Sequence, residues 1–186
     1  MNQEIVDAVR RLVWSGLFPG DEIPEIVHEV FAEEKLDRKA VSSQIASELA
    51  RKAEAERSWP NKTDCDRLDS AFDTLDDGGI IALQNAGYTH EDGVSECSEV
   101  YHDRGGAKSG ITGYCFYHGQ DLEQAVDGQG LYIAVGAFSG KEADKQAVAA
   151  KVVEVLQKKG LNAKWSGSAG ARIELPEFRW QKRGGG

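Results

Sequence analysis

The sequence lacks any apolar run approaching the roughly 20 residues that cross a bilayer; its longest apolar stretches are short, such as Leu131 to Phe138. Cysteine is scarce. Cys65, Cys97 and Cys115 make an odd number with no C-x-x-C spacing, which argues against a disulfide framework and a zinc ribbon. They are expected as small buried hydrophobes in a reduced, cytoplasmic setting. The four histidines, His28, His90, His102 and His118, include no pair three or four residues apart, so no H-E-x-x-H-type metal site exists. Met1 to Arg11 carries Glu4 and Asp7 and no apolar segment, so no secretory signal is expected.

What is present is an ordinary globular composition with uneven charge. The chain has 186 residues, 40% hydrophobic and 28% charged, with a net charge of −9, enough for one domain with a substantial appendage. Residues 1–62 carry a net −3, residues 63–127 a net −11 and residues 128–186 a net +5. A net-acidic chain is a poor direct ligand for nucleic acid, which binds through Lys and Arg on phosphates. The acidic middle, with 14 acids against 3 bases, favours a basic partner or a cation, with a merely solvated acidic surface as the alternative.

Periodicity predicts helices through the first sixty residues. Ile5, Val6, Val9, Leu12 and Val13 form an amphipathic stripe stopped by Gly16. A second helix is predicted from Asp21 to Lys35, with Pro24 in its first turn, and a third from Asp37 to Ser58 with Val41, Ile45 and Leu49 inward. Trp59-Pro60 breaks the pattern. Then Thr63 opens a helix with Cys65, Leu68, Ala71, Phe72 and Leu75 on one face and aspartates on the other. Strands are predicted at Ile80–Leu83, Thr112–Tyr117 and Leu131–Phe138, and helices at Thr89–Arg104 and Asp121–Val126. A capping box at Ser139–Glu142 is expected to start a helix running to Lys159, and a final strand pair is expected at Ala163–Trp165 and Arg172–Leu175. Ala163–Trp165 is expected to pair in parallel with Leu131–Phe138 after a right-handed crossover, and the last two strands antiparallel. The fold class is α+β: an N-terminal helical region, then a mixed sheet of four or five strands packed with helices. The expected organisation is a helical appendage over residues 1–58, an α+β domain over 63–183 and a disordered tail at 184–186.

Few motifs carry chemistry. Gly136 to Lys141 joins a strand to a helix, but it has three residues between its glycines and Glu142 after the lysine, which fails the phosphate-loop pattern. Asp66, Asp69 and Asp73 share a helix face opposite the apolar stripe, so solvent rather than a converging metal site is expected there. No metal and no cofactor are expected. His118 is different: it ends a strand and precedes a helix, in Tyr114-Cys-Phe-Tyr117-His118-Gly-Gln120-Asp121. Strand ends that feed helices are where ligands gather in α/β folds. Tyr117, His118, Gln120 and Asp121 are therefore the candidate binding residues, with capping of the short helix by His118 and Asp121 as the structural alternative.

Thr63-Asp-Cys-Asp-Arg-Leu68, Ala86-Gly-Tyr-Thr-His-Glu-Asp-Gly93, Gly113-Tyr-Cys-Phe-Tyr-His-Gly-Gln-Asp121 and Arg172-Ile-Glu-Leu175 together resemble an uncharacterised bacterial family of unknown function. The resemblance covers roughly residues 60–176. Its most specific part is Tyr-x-Phe-Tyr-His-x-Gln-Asp, and the N-terminal helices lie outside it. It implies a soluble bacterial protein and carries over no functional residue. The expected function is a non-enzymatic binding or regulatory role, the acidic surface facing a basic protein, with no nucleic acid and no membrane. The alternative is a small hydrolase-type enzyme using His118 and Asp121.

Overall fold

The structure, a computed structural model, describes residues 2–184. Two of the three residues expected as a disordered tail, Gly185 and Gly186, lie outside them. The chain divides into two compact units, one spanning residues up to Thr63 together with the stretch from Trp180, the other Asp64–Arg179.

The first unit holds α1 (Gln3–Ser15), α2 (Ile23–Val30) and α3 (Arg38–Glu56). Asn2 caps α1 by accepting from the Ile5 N–H at 3.0 Å, one of the donors a helix start leaves without an intrahelical partner. Gly16 ends it at φ 68°. A Cβ on Gly16 would also lie 2.5 Å from the Lys182 carbonyl oxygen, so only glycine fits the turn. Helix α2 is shorter than its periodicity suggests: Phe31 leaves the helical region at φ −110°, ψ 37°. The acids that follow, Glu33 and Glu34, would face the negative end of the helix dipole, which disfavours extending it.

Helix α3 is capped by Asp37, which accepts from Lys39 N–H at 2.9 Å. Its buried stripe is Val41, Ile45, Glu48 and Lys52. The expected inward Leu49 is 40% exposed. Spacings of 4, 3 and 4 keep positions 41, 45, 48 and 52 on one face of a 3.6-residue helix, whereas 49 turns away from it. Two charged residues, Glu48 and Lys52, thus complete the buried face in place of Leu49. Glu48 accepts from Trp14 Nε1 at 2.8 Å, Gln44 Nε2 at 3.2 Å and Arg51 Nη1 at 2.7 Å, and Lys52 Nζ stands 3.7 Å from Glu56. Burial of a carboxylate is tolerable only with such partners. The C-terminal stretch completes this unit. Trp180 is buried and donates from Nε1 to the Ser15 carbonyl at 3.0 Å. Arg183 donates to the Pro60 carbonyl at 3.0 Å and sits 5.8 Å from the centre of the Trp59 ring.

The second unit runs α4 (Asp64–Asp77), β1 (Ile80–Leu83), α5 (His90–Asp103), a 3₁₀ turn (Gly106–Lys108), β2 (Gly113–Phe116), α6 (Gly119–Val126), β3 (Leu131–Ala137), α7 (Glu142–Lys158) and β4 (Ile173–Leu175). The sheet order is β1-β2-β3-β4, with β1 and β2 parallel and the other pairs antiparallel. The chain is therefore α+β, with helices first and a mixed sheet after, and no strand precedes Ile80 among the described residues.

Alternation along the strands sorts the layers. Phe116 faces α5: a Cβ on Gly93 would meet its ring at 2.2 Å, so glycine is what lets this helix lie flat on the sheet. Tyr114 shares that side, with its ring 6.1 Å from Phe116. Tyr117 points to the opposite side, its ring 6.3 Å from Phe72 of α4, and Gly113 on that side abuts Val148 of α7. Cys65, Cys97 and Cys115 are all free and buried in these layers. Burial pushes the Cys97 thiol up to about 12 and raises Cys115 as well, so both are inert apolar fillers.

Two expectations fail at the last sheet edge. Ala163–Trp165 forms no strand, only an antiparallel bridge between Lys164 and Glu174, and it does not pair with β3, whose neighbours are β2 and β4. Because β4 pairs antiparallel to β3, the returning chain inserts it between β3 and the bridge. Ser139 is also not the cap of α7. Lys141 holds the N-cap position without a side-chain bond, while the Ser139 hydroxyl donates to Asp144 at 2.6 Å.

Trp180→Ala should destabilise the helical unit by about 3 kcal/mol, the usual cost of removing a large buried aromatic. Hydrogen exchange of the α1 amides should accelerate, and unchanged α1 protection would show that the C-terminal stretch does not support it.

Candidate binding site

Two helices begin side by side in the second unit, and each is closed by a reciprocal pair. Thr89 accepts from the Asp92 N–H while Asp92 accepts from the Thr89 N–H at 2.8 Å. The second pair is built the same way from different residues: His118 N–H donates to Asp121 Oδ2 at 3.2 Å, and Asp121 N–H donates to His118 Nδ1 at 3.4 Å. An imidazole nitrogen here takes the place of the usual hydroxyl or carboxylate cap. The starts of α5 and α6 are joined by backbone bonds, Gly119 N–H to the Gly87 carbonyl at 2.9 Å and Gln120 N–H to the Tyr88 carbonyl at 3.2 Å.

Of the four candidate residues, two are brought together and two are not. His118 and Asp121 are both buried, at 5% and 1% exposure. Tyr117 lies on the other side of the sheet, fully buried, and donates its hydroxyl to Gln84 Oε1 at 3.1 Å; burial holds its phenol well above the usual range. Gln120 is exposed and contributes its backbone N–H.

The partner that the sequence reading missed is Arg172, from β4's approach. Its Nη2 donates to Asp121 Oδ2 and, at 3.4 Å, to the Tyr132 carbonyl, and its guanidinium lies 5.5 Å from the centre of the Tyr132 ring. One signal for it was available: a buried aspartate demands a cation, and the spare bases of the chain fall in residues 128–186.

The electrostatics follow from this arrangement. Burial lowers the His118 pKa from 6.5; Asp121 opposes the shift, while Arg172 and His90 add to it. The ring is therefore neutral at physiological pH. Nδ1 accepts from the Asp121 N–H, and Nε2 stands 3.2 Å from Asp121 Oδ2, the geometry of an Nε2–H tautomer. Neither nitrogen is left to take a proton from a substrate, which a general base requires. Among the described residues no group of His, Cys, Asp and Glu is arranged to hold a metal ion.

The linkage sign is fixed by the lowered pKa. Below pH 6.5 the unfolded chain binds a proton at His118 that the folded chain refuses, so stability is full above that pH and falls as pH drops toward the folded value. His118→Ala should lose about 1 kcal/mol above pH 6.5 through the missing cap, and its unfolding midpoint should vary less with pH below it. A pH profile parallel to that of the wild type would remove His118 as the titrating group. Asp121→Ala should cost about 2–3 kcal/mol in urea unfolding, less than a fully buried pair, because the Arg172 side chain is 33% exposed.

No curated protein and no solved structure matches this chain. A family model described as a domain of unknown function matches residues 1–184. The match takes in the three N-terminal helices, which the sequence resemblance left outside. The chain belongs to the DUF6891 family, a domain of unknown function.

Proposed function

We propose that this chain is a non-enzymatic binding protein that presents an acidic surface to a basic protein partner. The observation that carries this reading is the outer face of α5. Asp92, Glu96, Glu99 and Asp103 stand at spacings of 4, 3 and 4, all exposed, and so form one stripe flanking the buried Gly93 and Cys97. Bonds from Thr89 hold the Asp92 carboxyl below its usual range. Of the three bases in residues 63–127, two are engaged on α4: Arg67 with Asp64 at 2.8 Å and Arg104 with Asp76 at 2.8 Å. The stripe therefore keeps its charge. Such a surface attracts a cationic partner at long range and sets its orientation, and it disfavours nucleic acid.

The hydrolase reading with His118 and Asp121 is the weaker one, because His118 Nδ1, the nitrogen that would take a proton in this tautomer, already accepts from the Asp121 N–H. No helix among the described residues is long and apolar enough to cross a membrane. The three buried free thiols support a reduced, cytoplasmic setting.

A lysine-rich peptide should bind the protein, with affinity falling as salt rises past about 0.1 M, where screening acts over roughly 10 Å. Replacing Glu96, Glu99 and Asp103 together by lysine should abolish that binding. Replacing the exposed Glu29 and Glu33 by lysine should leave most of it. Equal losses in both variants would mean that net charge alone acts, and the α5 surface would lose its role.

A further inference from the structure

Away from the acidic stripe, the sheet side on which α5 packs leaves Tyr132 and Arg172 partly accessible and Glu174 exposed at the β4 edge. Side chains at alternate positions make it. Tyr132 is paired with Glu174, and Glu174 with Lys164, in the antiparallel register; Arg172 lies two residues before Glu174 and so on the same side. With Trp165, Ser166 and Ala171 they line a hollow of about 500 Å³.

 That size suits a small organic ligand.

Its chemistry is mixed in a definite way. Arg172 is held before any ligand arrives by Asp121, the Tyr132 carbonyl and the Tyr132 ring. Its Nε is buried with no acceptor, a rare condition for a guanidinium and one that calls for a reason. Asp121 offsets the Arg172 charge, and the exposed Lys164 adds a second cation at the rim. Trp165 is half-buried, its indole fixed by a bond from Nε1 to the Ser168 carbonyl at 3.1 Å, and it offers a flat apolar wall. Glu174 in the same hollow repels a dianion more strongly than a monoanion.

We propose that this hollow is a binding site for a small aromatic monocarboxylate, its carboxylate taken by Arg172 and Lys164 and its ring by Trp165. A planar guanidinium matches a carboxylate, the aromatic wall selects a flat ligand, and Glu174 sets the preference for one negative charge over two. The site is separate from the α5 stripe and does not depend on its having a partner.

Benzoate is the probe, read by the indole N–H signal of Trp165 in a nitrogen-15 spectrum of the full chain and assigned with Trp165→Phe. Benzoate should shift that signal saturably, and inorganic phosphate should not displace it. Lys164→Ala, at an exposed position, should weaken benzoate about tenfold, the loss expected for one charge-assisted bond. Arg172→Lys should weaken it as well, and the dispersion of its spectrum reports whether the fold is kept. The proposal is overturned if the Trp165 signal does not move, if Lys164→Ala binds as the wild type does, or if phosphate competes with benzoate.

Discussion

The second unit depends on one buried carboxylate. Asp121 is 1% exposed, and a charge in that position stays only if donors surround it. Three groups meet it: the His118 backbone N–H, the His118 ring and the Arg172 guanidinium. Each comes from a different structural need. The first closes the start of α6, the second sets the imidazole beside the carboxylate, and the third ties the far sheet edge, 51 residues along the chain, to the strand–helix junction after β2. Removing the carboxylate would leave a helix start, a neutral imidazole and a guanidinium each without its shared acceptor.

The same logic explains what was legible in the sequence. Local signals read well: Asp37, Thr89 and Gly16 act where capping chemistry puts them, and the apolar face of α4 is the one its spacing gives, from Cys65 to Leu75. The strand limits of β1 follow directly from a short apolar run between glycines and polar residues. His118 and Asp121 were legible as a pair because they lie three residues apart.

What escaped is what sequence distance hides. Arg172 meets Asp121 only after β4 has inserted beside β3, and no local pattern announces that. The pairing of Ala163–Trp165 was misread for the same reason: a strand–helix–strand order suggests a parallel neighbour, but β4 takes that place. Leu49 was expected inward because it is the hydrophobe in its turn, whereas Glu48 takes that face, buried with three hydrogen-bond donors around it.

The helical unit is assembled from both ends of the chain, with Trp180 and Arg183 bonded to residues that precede Thr63. That connectivity sets an order of events during synthesis. The ribosome releases α1, α2 and α3 first, yet their unit lacks its last buried aromatic until everything from Asp64 to Arg179 has been made. The sheet-bearing unit, contiguous in the chain, has all of its residues earlier. The nascent N-terminal helices therefore wait with the Ser15 carbonyl and the surface around it uncovered by Trp180 until the last stretch of the chain has been made.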